Sequence, residues 1–126
     1  MTSRSDDPSA SPSVSTWIEA EAAIDRLASK HPELSRGVID NAKAFVRFCQ
    51  TRYEPPGVVS YGYWPTIQLV WHLKDNPIEI EVFQDHYEFY QFFDGETAIQ
   101  HVDACHGSFP EPLKELLNRA LPRPQG

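Results

Sequence analysis

Between residues 64 and 94, WPTIQLVWHLKDNPIEIEVFQDHYEFYQFFD, apolar side chains recur at alternate positions, the period of a strand whose two faces differ. Ile67, Leu69, Trp71 and Leu73 share one parity, followed by Ile78, Ile80 and Val82 and then by Phe89 and Phe93. Lys74-Asp75-Asn76-Pro77 supplies turn residues between the first two runs, and Pro77, which has no N–H for a ladder, belongs at a strand start. The pattern predicts three antiparallel strands. A four-residue loop sets Leu73 opposite Ile78, Trp71 opposite Ile80 and Leu69 opposite Val82. A turn at Asp85-His86 sets Val82 opposite Phe89 and Ile78 opposite Phe93. Every apolar run then lies on one face, with Gln91, opposite Ile80, as the exception, and a slip of one residue would turn the whole set into water.

The same register defines the other face. It carries Gln68, Val70 and His72, then Glu79, Glu81 and Phe83, then Glu88, Tyr90 and Phe92. His72 is expected across from Glu79, Glu81 between Val70 and Tyr90, and Glu79 also across from Phe92. One reading is an ordinary solvated surface, partly covered by a helix. Phe83, Tyr90 and Phe92 make it more apolar than water requires, and aromatic rings among charges suit a protein interface. The candidate binding face is therefore His72, Glu79, Glu81, Phe83, Glu88, Tyr90 and Phe92.

Helical periodicity flanks the meander. Thr16 and Glu19 have capping-box spacing ahead of an apolar stripe at Trp17, Ile24, Leu27 and Ala28, which predicts a helix over 16–30. Ser35 caps a second helix over 35–53, with Val38, Ala42, Phe45, Cys49 and Tyr53 in one stripe, and Glu54-Pro55-Pro56-Gly57 ends it. Residues 58–64, VVSYGYW, read as an irregular edge strand whose rings Tyr61, Tyr63 and Trp64 cover one end of the core or line a small pocket. Residues 96–102 fit a fourth strand or a short helix equally. Ser108 with Glu111 repeats the capping-box spacing before Leu113, Leu116, Leu117, Ala120 and Leu121, a final amphipathic helix that Pro122 stops. Residues 1–14, rich in Ser, Asp and Pro, predict a disordered tail, 15–121 a single domain, and 122–126 a frayed end.

The fold class is thus α+β: two N-terminal helices, an antiparallel meander of three to four strands and a C-terminal helix, with the helices on the Ile67/Trp71/Ile80/Phe89 face. With 126 residues, 40% of them hydrophobic, there is material for one modest core. No membrane-length apolar run and no leader-like apolar segment occurs, so the expected compartment is the cytoplasm, with Cys49 and Cys105 as free thiols or a single bridge.

The net charge of −7 is unevenly placed: from Lys74 to Lys114 there is no Lys or Arg, while nine Asp and Glu residues fall there. Such a field opposes phosphate binding by the sheet and steers a basic partner towards it. Arg36, Asp40, Lys43 and Arg47 share one face of the second helix, read as its solvated side.

Two clusters invite chemistry. His72 beside Glu79 has the make-up of an acid/base pair, in which a carboxylate raises the imidazole pKa and fixes its tautomer. His101, Asp103 and Cys105 alternate as on one strand face, with His106 adjacent, and their donor types suit zinc. Neither comes with a recognisable nucleophile, phosphate loop or zinc-motif spacing, so no catalytic residue, metal ligand or cofactor is assigned.

Residues 45–121 resemble a recurrent type of small bacterial protein: a helix, a Pro-containing link, a strand like IQLVWH, a hairpin to a strand like IEIEV, a strand ending in an aromatic run and Gly, and a closing PEPLKELL helix. Trp71 and the Glu79/Glu81 pair carry most of the likeness. The resemblance implies the fold and a bacterial or phage origin, and brings no activity or site residue. The function expected is a noncatalytic protein-binding module of the antitoxin, immunity or inhibitor kind that offers the acidic, aromatic face to a basic partner surface. The alternatives are a small metal-dependent or His/Glu hydrolase and a structural subunit that homodimerises by extending its sheet.

Overall fold

The computed structural model describes residues 13–62, 64–74, 76–93, 96–105 and 108–124, with Phe93 through its backbone. Tyr63, Asp75, the Asp94-Gly95 turn, His106, most of the expected tail and the last two residues lie outside the described residues.

Helix α1 (Trp17–Lys30) opens where the sequence places it: Thr16 accepts the Glu19 N–H in its side chain, while the Glu19 carboxylate turns back to the Ser15 N–H at 2.8 Å. Helix α2 (Arg36–Cys49) is capped by Ser35, whose hydroxyl oxygen accepts from the Val38 N–H. It ends four residues earlier than its stripe suggests, because Tyr53 is buried from the loop beyond it. Helix α3 (Glu111–Ala120) begins at Pro110 without a side-chain cap, so the Ser108/Glu111 box does not form: the fixed φ of proline at the helix mouth starts it instead.

Between α2 and α3 the chain makes β1 (Val58–Tyr61), β2 (Ile67–Trp71), β3 (Ile78–Val82), β4 (His86–Phe93) and β5 (Glu96–Asp103), one antiparallel sheet in sequence order. The meander thus has five strands where three to four are expected. Residues 96–102 resolve as strand, since β5 pairs with β4 along its whole length.

Both predicted registers shift by two residues. Trp71 pairs with Ile78, Leu69 with Ile80 and Ile67 with Val82, so His72 and Leu73 fall in a longer connection. Ile80 pairs with Phe89, Val82 with Tyr87 and Ile78 with Gln91, which centres the second turn on Gln84-Asp85 rather than Asp85-His86. A two-residue shift keeps every side chain on its face, so alternation cannot tell the registers apart. Long-range anchors decide. Asn41 on α2 donates to the carbonyls of Phe83 and Gln84, both at 3.0 Å, and accepts the Tyr87 hydroxyl at its own carbonyl, which pins the turn and buries the Tyr87 ring.

All three helices pack on the Ile67/Leu69/Trp71/Ile78/Ile80/Phe89 face. Phe45 of α2 sits at the centre, with ring centroids 6.1 Å from Trp71, 6.2 Å from Tyr87 and 5.9 Å from Phe109. Two indoles carry the polar demand of this core: Trp17 Nε1 donates to the Tyr53 carbonyl at 2.8 Å and Trp71 Nε1 to that of Glu54 at 2.9 Å. The Pro-rich crossover is thereby tied to both layers. Cys49 is buried and Cys105 exposed, with no bridge between them. Among the described residues no helix is long and apolar enough to cross a membrane.

Candidate functional site

With the helices on one side, the opposite side of the sheet stays open, and its chemistry follows from strand parity. None of the five strands carries a Lys or Arg. Of the expected face, Glu79, Glu88, Tyr90 and Phe92 stand on it, half-buried, inside strands. Phe83 lies on the same side in the β3–β4 turn, its ring stacked on His86 at 4.1 Å. The expected neighbours change with the register: Glu79 is flanked by Val70 and Tyr90, and Glu81 by Gln68 and Glu88.

Two members of the expected face are placed differently. His72 lies past the end of β2, exposed beside Gly57, and does not meet Glu79, so the His72/Glu79 acid/base pair is absent. Glu81 keeps its side of the sheet but is only 3% exposed, because the segment between β1 and β2 folds over it. There the Thr66 hydroxyl donates to Glu81 Oε2 at 2.6 Å, and the Gly62 N–H donates to the Thr66 carbonyl at 2.9 Å. A Cβ on Gly62 would lie 2.0 Å from Thr66 Oγ1 and 2.9 Å from Glu81 Oε2, so only glycine lets this backbone approach.

The electrostatics have one sign. Burial, then the Glu81 charge, hold the Glu79 carboxyl above its ordinary range. The Tyr90 hydroxyl is pushed up by burial, by its donation to Glu88 Oε1 and by the surrounding carboxylates, which keeps it a donor at any physiological pH. Tyr90 and Phe92 stack nearly parallel with centroids 6.4 Å apart, and Ile99 on β5, opposite Tyr90, is 59% exposed. The surface is an apolar strip along β4 and β5, flanked by carboxylates on β3 and β4.

Sequence reading missed the far end of this face. His86, assigned to a turn, begins β4 and stacks on His101 of β5 at 4.1 Å. His101 Nε2 pairs with Asp103 Oδ1 at 2.9 Å, whereas Cys105 lies apart, in a cleft with Gly37, Asp40, Asn41 and Asp85. The His101/Asp103/Cys105 cluster, set aside as a ligand set on sequence grounds, is split; among the described residues, the one group of three metal-type donors gathered within 4.8 Å is His86, Glu88 and His101. The His-x-Glu spacing of residues 86 and 88 was visible, but its meaning depended on β4 starting at His86.

Elsewhere several polar residues have structural partners. Tyr61 donates to Glu33 at 2.7 Å and stacks on His31 at 3.9 Å. Trp64 is 70% exposed on the rim of the covering segment. Lys43 of the α2 basic strip pairs with Asp25 at 2.7 Å. The class defined is a helix-backed antiparallel sheet with one open, acidic and aromatic face. No protein-family model, curated protein or solved structure matches the chain, so this face alone carries the functional argument.

Proposed function

We propose that the protein is a noncatalytic, cytoplasmic binding module of the antitoxin, immunity or inhibitor kind, which presents the open sheet face around Glu79, Glu88, Tyr90 and Phe92 to a basic surface on another protein. The observation that carries this reading is the juxtaposition of half-buried aromatics with carboxylates that have no cation within the sheet. Apolar area supplies affinity, while the unneutralised field supplies steering and selects against acidic partners. Two copies meeting through this face would oppose carboxylate to carboxylate, so the partner is a different protein.

The test is capture at low salt with three forms: wild type, Glu79→Gln/Tyr90→Ala/Phe92→Ala, and Arg36→Ala on the helical side as a surface control. Stoichiometric capture by wild type and control, weakened by salt and absent from the triple variant, supports the reading. Capture that the triple variant retains while folded refutes the assignment of the face.

A second reading has its own observation. β5 is hydrogen-bonded on one side only and is exposed along most of its eight residues, whereas β1 is shorter and met at its first residue by the Ser13–Val58 bridge. Antiparallel pairing of β5 with its copy would form a homodimer without using the open face. Sedimentation equilibrium decides it: a monomer across the working concentration range removes this reading.

A further inference from the structure

We propose that His86, Glu88 and His101 bind one divalent transition-metal ion of the zinc class. This site shares Glu88 with the proposed binding face but stands on different observations.

The first is position. His86 and Glu88 are two apart on β4 and so project from the same face, and His101 is the cross-strand partner of Glu88 on β5. One donor atom from each lies within 4.8 Å of the others. The second is distance. Zinc bonds of about 2.1 Å at tetrahedral angles set two ligand atoms about 3.4 Å apart; His86 Nε2 and Glu88 Oε2 are 3.4 Å apart. That gap is long for a hydrogen bond and matches one edge of a coordination tetrahedron.

The third is orientation. Ligating histidines usually hold their other ring nitrogen on a carboxylate or carbonyl, which fixes the tautomer. Here Asp85 Oδ1 lies 2.7 Å from His86 Nδ1, so Nε2 faces Glu88. Glu88 is oriented in turn by the Tyr90 hydroxyl on its other oxygen. Two imidazoles and one carboxylate form a borderline donor set, better suited to zinc and its neighbours than to calcium or magnesium. No Lys or Arg competes from any strand, and Asp85 and Asp103 raise the local cation concentration.

One rearrangement is required. The His86 and His101 rings are stacked with planes 14° apart, so their in-plane lone pairs run side by side rather than converging. His101 is the ring that turns: its side chain is 56% accessible and held only by the exposed Asp103, whereas His86 is clamped by Asp85 and Phe83. Metal binding should unstack the pair.

The experiment uses the full chain stripped with a chelator, titrated with Zn²⁺ by calorimetry and with Co²⁺ by visible absorption. The proposal expects one equivalent of Zn²⁺, Co²⁺ ligand-field bands that Zn²⁺ displaces, and displacement of the His86 and His101 ring signals in NMR spectra. His101→Ala removes an exposed side chain and leaves the fold intact; it should weaken Zn²⁺ at least about tenfold, since even outer-shell partners carry 10- to 100-fold effects. Glu88→Gln should do likewise. The absence of a one-to-one isotherm in the wild type, unaltered affinity in His101→Ala, or equal uptake of Ca²⁺, the mark of a merely acidic surface, overturns the site.

Discussion

Glu81 offers a sharp test of how the open face is held, because its carboxylate is 3% exposed and, among the described residues, Thr66 is its one hydrogen-bond donor. Thr66→Val keeps the shape of a side chain that is itself buried and removes the donor. The loss is that of a hydrogen bond to a charged group, about 1.5–3 kcal/mol, because among the described residues the carboxylate has no other hydrogen-bond partner and is nearly closed to water. Glu81→Met should behave differently: it removes the buried charge, and the Thr66 hydroxyl, already 3.3 Å from the Trp64 carbonyl, keeps an acceptor. That substitution should be neutral or stabilising, as replacements of buried ionic groups by apolar ones of similar shape often are. In the double variant the Thr66→Val penalty should shrink to that of a neutral hydrogen bond, about 0.5–1.5 kcal/mol at most. The cycle is read by urea unfolding, where the Thr66→Val cost corresponds to a midpoint shift of about 1 M. A Thr66→Val effect below about 0.5 kcal/mol, or a double variant whose effect is the plain sum of the singles, would refute the account of Glu81 as a buried charge that depends on one hydroxyl.

Four further outcomes are expected. Phe45→Ala, at the centre of the aromatic core, should cost about 3–5 kcal/mol in urea unfolding, whereas Phe92→Ala on the open face should stay below about 1 kcal/mol while weakening capture. Gly62→Ala should destabilise by about 1–3 kcal/mol, since the added methyl meets Thr66 and Glu81; a wild-type unfolding midpoint would show that the covering segment is not held as described. Glu79 is raised above its ordinary value of 4.5 when folded, so the ionised group costs stability above its folded pKa, and the cost disappears as pH falls through that value. Glu79→Gln should therefore be more stable than wild type at neutral pH, with the two converging towards pH 4.5; a gap independent of pH would contradict this. In the native protein a thiol reagent should label Cys105 and spare Cys49, whose thiol is buried and pushed up by desolvation, with mass spectrometry finding both labelled only in denaturant.

How much of this was legible in the sequence depends on which feature carried the signal. Thr16 and Ser35 announced two helix starts through a local hydrogen bond, and local chemistry is what a sequence exposes. The faces of β2, β3 and β4 were legible for the same reason, since alternation is local. The β3–β4 register was not: it was set by Asn41 gripping the Phe83 and Gln84 carbonyls from another element, 42 and 43 residues away. From the shift at that turn came Tyr87 missing from the core and His86 read as a turn residue, while the separate two-residue shift between β2 and β3 removed His72 from Glu79. Glu81 was correctly sided but taken as accessible, because nothing local in residues 62–66 says that the segment turns back over the sheet.

The distribution of charge between the two layers ties the site to the fold. Arg52 lies 4.2 Å over the Phe48 ring and Lys114 5.5 Å from it, on the helical side, while the strands hold only acids and histidines. Glu81 and Glu88 stand directly opposite each other on β3 and β4, an arrangement that costs roughly 0.2–1 kcal/mol relative to uncharged neighbours. A lysine at position 88, the half-buried member of the pair, would relieve that cost within the chain. Its absence leaves the pair uncompensated within the sheet, and a cation brought to Glu88, the half-buried member, would offset it, whether from a basic partner or a metal at the adjoining His86/Glu88/His101 corner. If the face binds as proposed, removing the Glu88 charge should stabilise the free protein and weaken binding together.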